Sequence, residues 1–194
     1  MSKGPLVKIE TPAAAAICAR FDVNKEALAL LKDPMTPGEF LEALMANRQY
    51  VTGIDFLAYA LPAREGVWWG ALCVQHACGN DLPAPDRAAL QAAVEWVLRP
   101  TEANRAAAQA PAAAAGPVSA AGALALVASL KGNGEPAPMP PPKAVANAVK
   151  TATIKGEPAR IADTQRLFVE LGIGVAEGRF SWTECGPAAG RQSG

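Results

Sequence analysis

Proline and cap residues cut this chain into short pieces, and that punctuation constrains its fold more than any other feature. Thr11-Pro12 offers a cap residue followed by proline at a first helical position, and Thr36-Pro37-Gly38-Glu39 adds the glutamate that completes a capping box. Helices are therefore expected to begin near residues 12 and 37. After the second start, Phe40, Leu41, Leu44 and Met45 recur at three- and four-residue spacing, which turns Glu42, Asn47 and Arg48 towards water. The next helix carries Val51, Ile54, Leu57, Ala58 and Leu61 as its inner stripe, and Pro62 opens another that Gly79-Asn80 ends. Leu82 to Asp86 leads into a helix with Leu90, Ala93, Val94, Trp96 and Val97 on its apolar faces. Thr101 caps an Ala-rich continuation from Glu102 to Ala110. Pro111, Gly116 and Pro117 are then expected to break the chain before an apolar helix ending around Leu130.

From Lys131 to Pro142 the composition shifts to Gly and Pro, which reads as a linker or surface strap, with Pro140 to Pro142 extended as polyproline. A helix can resume from about Lys143 to Lys155. Gly156 stops it and Pro158 restarts a pattern in which Ile161, Thr164, Leu167, Phe168, Leu171 and Val175 line one face, with Arg166 and Glu170 opposite. Beyond Trp182 the tail has too few apolar residues to dock, so residues 183–194 are expected to be mobile. Strand signals are weak, Leu6-Val7-Lys8-Ile9 being the best and short. The whole reads as all-α: one helical domain over residues 1–182, an irregular bundle of short antiparallel helices, with stacked helical hairpins as the alternative arrangement.

Composition narrows the function classes. Lys plus Arg and Asp plus Glu each total 18, so the net charge is zero and the general attraction to phosphate that non-specific nucleic-acid binding needs is missing. Hydrophobic residues make up 51% against 19% charged, which argues against wholesale disorder. The longest uncharged stretch, Ala106 to Leu130, is broken by Pro111 and Pro117, and its strongly apolar part is shorter than the roughly 20 residues a bilayer span needs. It reads as a buried helix. Met1 to Glu10 lacks the pattern of an export signal, so Cys18, Cys73, Cys78 and Cys185 are expected to be reduced thiols of a cytoplasmic protein.

The segment from Pro62 to Cys78 is apolar nearly all round, as suits a helix enclosed by neighbours. It also holds the chemically suggestive residues. Glu65, Trp69, Leu72, Cys73 and His76 share one sector, while Val67, Ala71, Val74 and Cys78 occupy the other side. Cys73, the single histidine His76 and Glu65 could act as thiol, base and carboxylate, but catalytic thiols sit in exposed electropositive settings, and this helix reads as enclosed. Packing is the favoured role. Cys73, His76 and Cys78 lack zinc-knuckle spacing, so no metal is expected, and Cys73 and Cys78 diverge on the helix, so no bridge between them is expected either. Arg64, one turn before Trp68, is expected to lie over its indole, and Glu65 to sit in the favourable first turn. Gly172-x-Gly174-x-x-x-Gly178 falls at a helix C-terminus, the wrong polarity for phosphate, so close helix contact or fraying is its expected use and no cofactor is implied.

The runs TPGEFLEAL (36–44), LPAREGVWW (61–69), RLFVELGI (166–173) and GRFSW (178–182) resemble an uncharacterised bacterial family of similar length with an LPxREavWW motif. Some members of that family are encoded near type VI secretion components. Gly66 stands where the motif has Ala, which weakens the helix by propensity. The resemblance implies a cytoplasmic accessory or adaptor and supplies no catalytic residues. Together with the Trp and Arg concentrated at one helix start, it leads to the expectation of a non-enzymatic protein that binds another protein, a secretion component or effector, through a groove near Arg64, Glu65, Trp68 and Trp69. The competing expectation is a small thiol-dependent enzyme or sensor using Cys73 and His76.

Overall fold

The computed structural model describes residues 4–79, 81–131 and 139–182. It is all-α. In chain order the helices are α1 (Ala14–Cys18), α2 (Lys25–Leu28), α3 (Pro37–Ala46), α4 (Tyr50–Ala60), α5 (Ala63–Cys78), α6 (Ala84–Leu98), α7 (Glu102–Ala107), α8 (Gln109–Ala115), α9 (Ala120–Ser129), α10 (Pro141–Thr153) and α11 (Ile161–Ala176), the last entered through a 3-10 turn at Pro158–Arg160. Segment 132–138, most of the expected strap, and the tail 183–194 lie outside the described residues.

Local chemistry accounts for most of the boundaries. The capping box at α3 is complete: the Thr36 hydroxyl accepts from the Glu39 amide at 3.3 Å, and the Glu39 carboxylate accepts from the Thr36 amide at 2.8 Å. Those bonds hold the Glu39 carboxyl below its ordinary range. Thr101 caps α7 and Ser119 caps α9, each accepting from the amide three residues on at 3.2 Å. Gly79, at φ 53°, closes α5 in a backbone conformation that a side chain would strain.

Leu6 to Ile9, the best of the weak strand signals, forms no strand; its Lys8 amide donates to the Ala176 carbonyl at 2.9 Å, which ties the segment to the end of α11. Other expectations need correction. Pro111 does not break the chain: it lies in the first turn of α8, where its missing N–H costs nothing. Pro141 and Pro142 likewise open α10, leaving only Pro140 extended at φ −54°, ψ 134°. Val51, expected on the inner stripe of α4, is 44% exposed, and Phe56 takes an inner place with Ile54 and Leu57.

Packing centres on two helices. Against α9 lie α5, α6, α7, α8 and α10, so a helix of Ala, Gly, Leu and Val is covered nearly throughout. Close approach comes from small residues: an added Cβ at Gly70 would stand 2.5 Å from Leu124, and at Gly122 it would collide with the Gly116 carbonyl. Around α5 lie α6, α9, α10 and α11, the enclosure that its all-round apolar sequence predicted. Among the described residues no helix is long and apolar enough to cross a membrane.

Candidate interaction site beside the tryptophan helix

Both indoles of α5 point inward and are satisfied there. The Trp69 Nε1 donates to the Phe168 carbonyl at 2.8 Å from a fully buried ring, and the Trp68 Nε1 donates to the Phe180 carbonyl at 2.9 Å. Glycines make room for the contacts that follow. A Cβ at Gly172 would stand 2.9 Å from the Trp69 ring and 2.7 Å from Leu57, and one at Gly174 would collide with the Phe180 ring. The glycine pair therefore serves close packing. Trp68 and Trp69, two of the four residues expected to meet a partner, are buried supports that set the positions of Phe168 and Phe180.

Arg64 and Glu65 remain partly accessible. Arg64 does not lie over Trp68, because that ring is turned into the core; its guanidinium stacks 4.2 Å from the Trp182 ring centroid instead. Its Nε donates to the Val97 carbonyl at 2.7 Å and an Nη to Leu98 at 3.4 Å, so one side chain satisfies the free C-terminal carbonyls of α6 and holds the segment after α11. Glu65, in the first turn of α5, faces the Lys8 ammonium at 3.9 Å.

An open cleft lies beside this corner. One chamber of about 620 Å³ is walled by the turn Leu61-Pro62-Ala63 and by Gly66, Pro141 and Val145. A second, of about 470 Å³, runs on past Phe21, Asp22, Asp55, Lys143 and Lys150. Arg20 and Tyr59 line both, so the two chambers adjoin along the cleft between α4 and α10. Phe21 stacks on Tyr59 with centroids 5.1 Å apart, and Arg20 donates to the Tyr59 carbonyl at 2.7 Å while its guanidinium lies 5.7 Å from the ring. Burial raises the Tyr59 hydroxyl pKa, Asp55 and Asp22 add to the rise, and Arg20 opposes it. Lys150 is paired with Asp55 at 2.7 Å, whereas Glu10, Asp22 and Lys143 are exposed along the rim.

Sequence reading missed Arg20, Tyr59 and Lys143, because they come together only through tertiary packing. One signal was present: Tyr59 is an aromatic residue lying off the apolar stripe of its helix.

The thiol and imidazole are not arranged as an activated pair. Cys73 is fully buried and its pKa is pushed well above the ordinary range by desolvation; His76 is exposed, with its ring edge-on to Phe168 at 6.0 Å. Cys18 is buried as well, its pKa raised to about 11. Among the described residues no group of three His, Cys, Asp or Glu side chains could hold a metal ion, and Cys18, Cys73 and Cys78 are free thiols.

Comparison with known proteins gives a family and no function. A model of a family of unknown function, DUF6931, matches residues 40–176, more than half of the chain, and the chain belongs to that family. No curated protein and no solved structure matches it.

Proposed function

We propose that this DUF6931 member is a non-enzymatic protein-binding module that receives an extended segment of another protein in the cleft between α4 and α10. The observation that supports this reading is the cleft itself: two adjoining open chambers lined by charges of both signs and by the stacked Phe21 and Tyr59 rings. An extended peptide offers backbone donors and acceptors along its length and side chains of either sign, and such a lining can meet both. Arg20 stands at the middle with further guanidinium donors, Glu10 and Asp22 can accept, and the apolar wall of Pro62, Pro141 and Val145 can cover aliphatic side chains. Within this reading the first turns of α5 supply Ala63 and Gly66 to the cleft wall, while Arg64, Glu65, Trp68 and Trp69 hold α5 to the rest of the fold. The sequence resemblance supports a type VI secretion component or effector as the partner class, and with it an accessory or adaptor role in the cytoplasm.

The test is quantitative affinity capture from the native bacterium with wild-type bait and with the rim variants Lys143→Glu and Glu10→Lys. Both substitutions are at exposed positions, so folding is retained and checked by circular dichroism. Wild type is expected to retain a partner stoichiometrically and both variants to lose it. Equal retention by folded variants contradicts the proposal.

A further inference from the structure

The outward face of α11 is self-complementary, and we propose that it pairs with the same face of a second copy of this chain about a two-fold axis crossing the helix at the level of Phe168. The face is distinct from the cleft between α4 and α10. Inward, α11 buries Phe168, Val169, Gly172 and Ile173. Outward, Leu167 and Leu171 pack against the core yet keep part of their surface open to a groove of about 270 Å³, with Phe180 38% exposed at its edge. Arg166 and Glu170 flank the leucines on one side, with side chains 60% and 41% exposed and paired to each other at 3.0 Å.

Charge placement names the occupant. Residues 166 and 170 lie two positions to either side of 168, about 3 Å up and down the axis. A two-fold at that level, lying between two face-to-face helices and perpendicular to them, reverses the helix direction and keeps each flank opposite its own copy. Arg166 then faces Glu170 of the second copy, and the same contact is made twice. Leu167 falls within about 2 Å of the axis level and meets its counterpart there, with Leu171 one turn further out. The remaining exposed surface of the leucines is thereby removed from water between two intermolecular ion pairs.

Sedimentation velocity over a concentration series tests this with the full-length chain. Wild type is expected to associate to a dimer. Arg166→Glu alone sets carboxylate against carboxylate in both contacts, and Glu170→Arg alone sets guanidinium against guanidinium, so each should raise the dimer dissociation constant at least about tenfold. Mixing the two single variants brings carboxylates at both positions of one α11 against guanidiniums at both positions of the other, and a heterodimer should form. The double reversal in a single chain restores opposite charges in both contacts and should dimerise as wild type does. The proposal is overturned by a wild type that stays monomeric at the highest concentration, by a dimer indifferent to the single reversals, or by single variants that fail to pair on mixing. Both substituted side chains reach solvent, Arg166 at 60% and Glu170 at 41% exposure, so circular dichroism of each variant is expected to match wild type.

Discussion

A methyl group added at Gly172 would stand 2.7 Å from Leu57 and 2.9 Å from the Trp69 ring, both fully buried and unable to give way. Gly172→Ala is therefore expected to destabilise the protein by about 2 kcal/mol through overpacking. Gly66 is the control. There a Cβ would lie 3.7 Å from Val145, an ordinary contact, so Gly66→Ala should stabilise by about 0.5–1 kcal/mol by helix propensity alone. Urea unfolding of the two variants reads both signs; a neutral Gly172→Ala would contradict the close approach of α11 to the indole. The buried thiols give a pH signature at the same scale. Cys18 keeps its proton up to about 11 against the usual 9.0, so the folded chain holds more protons than the unfolded one between those values. Stability from this source is complete below about 9 and falls as pH rises towards 11. The urea midpoint should drop over that window, and Cys18→Ala should make the drop shallower; an unchanged slope would contradict the burial of that thiol.

Helix ends show where local sequence sufficed and where it did not. The capping box at Thr36, the caps at Thr101 and Ser119 and the stop at Gly79 depend on residues within a few positions of each other, and they form as their spacing requires. Faces proved harder. On α11 the expected inner residues Phe168 and Val175 are buried and Leu167 and Leu171 partly so, but Val169 and Ile173 are buried as well, and Gly172 and Gly174 let Trp69 and Phe180 press onto the helix. A glycine carries no hydrophobic weight in a periodicity count, although it can mark the most intimate contact. Arg64 makes a similar point between elements. Its guanidinium spans the carbonyls of α6 and the Trp182 ring, partners that no short-range rule connects. Arg64→Ala should cost about 2 kcal/mol, and Arg64→Lys should recover little of it, since an ammonium cannot reproduce the planar fork and the stack together. Thermal unfolding of both variants checks this; full recovery by lysine would mean that charge alone matters.

At the scale of the whole molecule, the fold class was legible because caps and apolar spacing agree along the chain, whereas the cleft was not. Its lining comes from the turn after α1, from α4, from the start of α5 and from α10, residues far apart in sequence and unremarkable one by one. The LPAREGVWW run was the reverse case, conspicuous in sequence yet turned mostly to structural use, with its indoles sealed beneath α11 and its proline turn forming one wall of the cleft. The sealing of the α5 indoles is the central claim. Hydrogen exchange of the indole N–H groups, followed by NMR, measures it directly. The Trp69 N–H is expected to exchange as slowly as the most protected backbone amides, through global unfolding, with Trp68 next. Exchange of the Trp69 N–H within the time of local fluctuations, well ahead of those amides, would contradict it.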